Sequence, residues 1–164
     1  MTTPGTALSD SAATADAALA RLDDVLARIS DGDLHLATPG GGWTVAQVIA
    51  HLTVSTLVWL GDMERLRQDP ELTFFFREEI GHDALGYPPP TVAIARGRIA
   101  STRRTIATCL PATDPAVLSR TVEIPDLGTK TAADWIPIIV GHLTGHVDQA
   151  LDVLRSRDAL PQEA

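Results

Sequence analysis

The sequence predicts an all-α domain, a four-helix bundle with a short β-hairpin between its third and fourth helices. Three observations carry this reading. Apolar side chains make up 45% of the 164 residues but aromatic ones only 4%, so the interior must be filled mainly by Ala, Leu, Ile and Val, which favours helices. Four segments carry helical start, stop or spacing signals. One run, Thr121-Val122-Glu123-Ile124, alternates as a strand does.

Helix one spans Ser9 to Ile29, with Ala15, Leu19, Leu22, Leu26 and Ile29 on one stripe, and stops at Asp31-Gly32-Asp33. The following Pro39-Gly40-Gly41-Gly42 lacks the Lys-Ser/Thr ending of a phosphate loop and reads as a plain loop. Helix two has Thr44 as N-cap, Gln47 to close a capping box and Trp43 placed to pack on Val48, and runs to Asp69, where Pro70 forbids continuation. Helix three extends from Thr91 to Leu110, with Val92, Ala95, Ile99, Thr102, Ile106 and Cys109 on one side and Arg96, Arg103 and Arg104 mostly on the other.

After the strand-like run, Pro125-Asp126-Leu127-Gly128 is a turn and Thr129-Lys130 can pair back. Helix four opens at Thr131 with Asp134 at the third position and continues to Arg157. Pro137 lies past its first turn, so either the helix kinks there or its regular part begins nearer Ile136. We expect one domain over residues 1–164, with a core of about residues 12–157 and a flexible tail at 1–8.

Between helices two and three, Glu71 to Pro90 contains Phe74-Phe75-Phe76 and shows neither periodicity. It reads as a long ordered loop. Such loops often act as lids, so the segment from Phe74 to Tyr87 either caps an end of the bundle or forms a wall above a site.

A formal charge of −8 gives no electrostatic footprint for nucleic acid. The stretch Val45 to Leu60 is interrupted by Gln47, His51 and several hydroxyls, so it reads as a buried helix and not a membrane span. No basic segment precedes an apolar one near Met1, and we expect a cytoplasmic protein. Cys109 is the only cysteine, which excludes an intrachain disulfide and means that any thiol chemistry would draw its thiol from outside. The expected partner is a small molecule or thiol, and a homodimer is compatible with the bundle.

The residues with chemistry are histidines. His142 and His146 are four apart on helix four, about 40° of rotation and roughly 6 Å of rise, so both leave one face and can chelate one ion. His51 interrupts the apolar run Val48-Ile49-Ala50-His51-Leu52, where a polar ring needs a partner. Gln47 and Ser55 lie one turn from His51 on either side, and Gln149 lies close to the helix-four stripe. Trp135, two turns below His142, is either a pocket wall or a core aromatic. Asp62 lies some 16 Å along the axis from His51, too far to orient it. His35 and His82 have no matching partner spacing, although His82, with Glu78, Glu79 and Asp83, reaches the site if its loop folds over it.

The segments Trp43-Thr44-Val45-Ala46-Gln47-Val48-Ile49-Ala50-His51-Leu52 and His142-Leu143-Thr144-Gly145-His146-Val147-Asp148-Gln149 resemble the second-helix and last-helix motifs of the DinB-like superfamily. The resemblance covers Ala12 to Arg157. It implies a bundle in which His51, His142 and His146 bind a divalent metal, with water or substrate in the remaining positions. Assigned relatives include mycothiol-dependent maleylpyruvate isomerases and S-transferases that use mycothiol or bacillithiol. The isomerases carry an additional C-terminal domain, which is not expected in this sequence because helix four lies close to its last residue.

Three neutral imidazoles would leave an ion its full charge and an open position, as in catalytic sites. Zinc is the first expectation from ligand type, with nickel or iron also suited to imidazole. No separate catalytic side chain stands out beyond the metal centre itself. The leading functional expectation is transfer of a low-molecular-weight thiol such as mycothiol to a small electrophile. The alternatives are a noncatalytic metal- or ligand-binding bundle and a metal-assisted hydrolase.

Overall fold

A computed structural model describes residues 4–37, 42–72, 87–124 and 128–158. Among them the chain is mostly helical. Helix α1 spans Pro4–Leu26, a 3-10 turn Asp31–His35, α2 Val45–Gln68, α3 Val92–Cys109, α4 Pro115–Leu118, β1 Thr121–Ile124, β2 Gly128–Thr131 and α5 Ala132–Asp158.

The first helix begins at Pro4, five residues before the expected start at Ser9. Proline suits a first helical position because its missing N–H has no intrahelical partner there. Leu8, within the expected tail at 1–8, is buried against the core. The short α4 was not anticipated. Asp114 caps it by accepting from the Ala116 N–H at 2.8 Å, Pro115 occupies its first turn, and Val117 and Leu118 are buried.

The last helix starts at Ala132 and not near Ile136. Thr131 closes a box with Asp134: the Asp134 N–H donates to Thr131 Oγ1 at 3.1 Å, and the Thr131 hydroxyl donates to the Asp134 carboxylate at 2.6 Å. That cap holds the first turn despite Pro137, which removes only one interior donor. Thr131 also ends the antiparallel hairpin, whose register runs from Thr121 opposite Thr131 to Ile124 opposite Gly128. Gly128 has φ 69°, a left-handed conformation that glycine adopts without strain.

Helix α1 packs against α3 and α5, and α2 packs against the same two, so α1 and α2 occupy opposite corners. Their buried stripes meet in a core that includes Leu19, Leu22, Ile49, Leu52, Ile99 and Leu143. On α3 the buried positions are Ala95, Ile99, Thr102 and Ile106, whereas Cys109, expected on that side, is exposed at the helix end. Two ion pairs join α1 to α3: Arg103 to Asp16 at 2.7 Å and Arg96 to Asp23 at 2.8 Å. The pairing ascends one helix as it descends the other, so the two are antiparallel.

At the end where α2 begins, the Val92 N–H donates to the Asp31 carboxylate at 2.7 Å, placing the start of α3 beside the 3-10 turn. Helices α2 and α3 therefore run in the same direction. At the far end the Arg120 guanidinium donates to the carbonyls of Leu66, Asp69, Pro70 and Leu72, closing the C-terminus of α2 onto the start of the hairpin. Parallel neighbours require the chain to return along the bundle, which explains why the connection from Asp69 to Thr91 is long. The expectation for Phe74 to Phe76, and for His82 with Glu78, Glu79 and Asp83, falls at residues 73–86, outside the described residues. Helix α2 is long and apolar enough to cross a membrane, but 67% of its most apolar window is buried inside the bundle.

Candidate metal centre

His51 sits on α2 and is buried, while His142 and His146 project from α5 and are half-buried. Nε2 of His51 lies 3.0 Å from Nε2 of His142, which lies 2.8 Å from Nε2 of His146. Candidate ligand nitrogens of the three rings all fall within 4.8 Å of one another. The rings stand steeply to each other, at 69° to 79°, so their edges and not their faces converge.

A ring nitrogen has one in-plane site, holding either a proton or a lone pair. His142 Nε2 faces both neighbours and cannot make a full hydrogen bond to each. A single cation facing three lone pairs removes that conflict. Nitrogens about 2.0–2.1 Å from one ion stand about 2.9 Å apart at right angles and about 3.3 Å apart in a tetrahedron, and the two edges of 3.0 and 2.8 Å fall close to the first spacing. The three-histidine cluster can hold a divalent metal ion, and its donors add no charge to offset that of the ion.

Local structure explains how the rings reach this point. The one-turn spacing on α5 aligns His142 with His146. On α2, the Gln47 N–H donates to Thr44 Oγ1 at 3.2 Å and the Thr44 N–H donates to Gln47 Oε1 at 2.8 Å, so the capping box fixes the residue before the helix, Trp43. Trp43 then lies against two of the three histidines, with ring centroids 4.7 Å from His51 and 5.7 Å from His146. Farther along α2, Trp59 lies 4.7 Å from His142 and meets Trp135 edge to face at 6.1 Å. Trp59 is eight residues after His51 and Trp135 seven before His142, so α2 and α5 are antiparallel and level at the histidines.

The sequence profile of the DinB superfamily matches residues 14–150. The chain belongs to the DinB superfamily. None of the curated proteins compared with the chain matches it. The matched span contains all three histidines and both tryptophans that flank them, so the cluster lies within the DinB bundle and is not an appendage to it.

The remaining predicted residues divide. Gln149 reaches the cluster, its Oε1 2.8 Å from Nδ1 of His146. Gln47 is exposed, and its carbonyl oxygen serves the helix cap. Ser55 is buried and donates to the Leu52 carbonyl at 3.3 Å, a bond within its own helix. Trp135 is fully buried and meets Trp59 edge to face, and Trp59 in turn lies against His142. His35, on the 3-10 turn, is exposed.

Sequence reasoning missed Trp59 as a neighbour of the site and read Trp43 only as a packing residue. Trp59 stands about 80° round α2 from His51 and about 12 Å along it, so helical spacing gave no signal. Trp43 precedes the helix, eight residues before His51, so helical spacing gave no signal for it either.

Proposed function

We propose that the protein is a divalent-metal-dependent enzyme that joins a low-molecular-weight thiol, of the mycothiol kind, to a small electrophile. The observation that carries this reading is the convergence of three histidine ring nitrogens at 2.8 and 3.0 Å. His51, His142 and His146 would hold the ion. When bound, a divalent cation there supplies Lewis acidity that lowers the pKa of a coordinated thiol or water by several units. The donor set favours zinc first and suits nickel or iron as well.

The protein side chains supply the rest. Trp43 and Trp59 shield two flanks of the imidazoles with apolar ring surface, which limits bulk water around the reacting sulfur. With Cys109 exposed at the end of α3 and no other cysteine in the chain, the nucleophilic sulfur comes from the cosubstrate. A net charge of −8 favours neutral electrophiles over anionic ones.

The test loads the purified protein separately with Zn²⁺, Ni²⁺ and Fe²⁺ and follows thioether formation from mycothiol and a small alkyl halide or epoxide. The expected result is turnover that requires both metal and thiol. Metal-dependent product formed without thiol would establish hydrolysis instead, and tight metal binding with no product in either assay would establish a binding bundle.

A further inference from the structure

We infer that Gln149 is a positioning residue that sets the tautomer of His146 and so presents the Nε2 lone pair to the cluster, an inference that rests on the metal reading above. Gln149 Oε1 lies 2.8 Å from His146 Nδ1. An amide oxygen only accepts, so Nδ1 must carry the proton. A neutral imidazole has one such proton, and Nε2 is left as a lone pair. The opposite tautomer would lose the bond to Gln149 and point an N–H at His142 Nε2, 2.8 Å away, where a ligand lone pair is needed.

Two constraints hold this ring in independent directions. The amide fixes rotation within the ring plane by gripping one edge. The indole of Trp43, 19° from parallel to the imidazole, fixes the plane itself. Gln149 is three residues after His146 on the same helix, so their separation is set by the helix and not by loop geometry. One residue earlier, Asp148 pairs with Arg21 of α1 at 3.0 Å, tying this turn of α5 to the bundle. The other candidates for such a role are used elsewhere: Gln47 directs its carbonyl oxygen to the α2 cap, and Ser55 donates to the Leu52 carbonyl.

The experiment compares the whole protein with Gln149→Leu, which keeps bulk but removes the acceptor, and Gln149→Glu, which restores a stronger one. Zn²⁺ affinity is measured by competition with a chelating dye, and the His146 tautomer by ¹⁵N imidazole NMR on metal-free protein. Helicity is recorded for each variant. Wild type should show Nδ1–H at His146. Gln149→Leu should show a mixture of tautomers and bind Zn²⁺ about 10- to 100-fold more weakly, and Gln149→Glu should recover both.

Unchanged affinity in Gln149→Leu, with wild type binding Zn²⁺ normally, overturns the inference while leaving the metal reading intact. If wild type binds no Zn²⁺, the metal reading fails, and the metal-free spectrum still decides: the same His146 tautomer with and without the Gln149 acceptor overturns the positioning role. If Gln149→Leu loses helicity, the Gln149→Glu spectrum decides, because an Nε2–H tautomer there overturns the inference.

Discussion

The indole of Trp43 stacks on the imidazole of His146 with centroids 5.7 Å apart and planes 19° from parallel. One residue precedes the N-cap of α2 and the other is a candidate ligand on α5. The start of one helix is thereby joined to the chemistry of another, and anything that moves the cap moves a wall of the metal centre.

This contact gives an optical test. Trp43 and Trp59 lie 4.7 Å from candidate ligand rings, while Trp135 meets the cluster through Trp59. Adding Co²⁺ or Cu²⁺ to the protein should quench most tryptophan emission at one equivalent, and Trp43→Phe should remove a large part of the quenched signal. Emission indifferent to these ions would show that no ion enters the cluster.

Removing the cap should weaken the bundle and disturb its site together. Thr44→Ala deletes the hydroxyl that accepts from the Gln47 N–H, a change worth about 1 kcal/mol at helix N-caps. Urea denaturation should register that loss. Near-ultraviolet circular dichroism should change at the same time, because Trp43 loses its anchor, whereas a spectrum identical to wild type would show that Trp43 is held by other contacts.

The histidines should prove dispensable for folding and indispensable for metal. A 164-residue chain with a core of this extent buries enough apolar surface to fold without an ion. His142→Ala, His146→Ala and His51→Ala should each reduce metal content and abolish metal-dependent turnover while far-ultraviolet circular dichroism keeps its helical shape. Full metal content in any of the three would remove that residue from the ligand set, and collapse of the helical signal in all three would make the site structural.

The α1–α3 ion pairs predict a specific pH dependence. The Arg103 guanidinium hydrogen-bonded to Asp16, and that of Arg96 to Asp23, hold both carboxyls below the ordinary 3.8. Because the folded values are depressed, the stabilisation is present above the ordinary value and is lost as pH falls through the lower folded values. Both pairs are partly exposed, so the Arg103–Asp16 pair contributes only about 0.2–1 kcal/mol, less at high salt. The stability difference between wild type and Arg103→Gln should therefore shrink as pH is lowered from about 5 to 2. A difference that stays constant over that range would assign the effect of Arg103 to packing.

What the sequence determined by itself depends on neighbours a few residues apart. The apolar stripes of α1 and α3, the capping boxes at Thr44 and Thr131, the hairpin and the one-turn pairing of His142 with His146 all follow from fixed local rise and rotation. The two histidine-bearing segments also sufficed to place the chain in its superfamily. Tertiary structure decided what depends on how one helix slides against another. His51 and His142 are 91 positions apart, and only the antiparallel register of α2 and α5 brings their nitrogens to 3.0 Å. The same register selects Trp59 as a neighbour of His142, and the tertiary geometry leaves Gln149 on an imidazole while Gln47 serves a cap. Helical periodicity names the face from which a side chain leaves, but the offset between helices is set by packing along their whole length, and no short spacing in the chain encodes it.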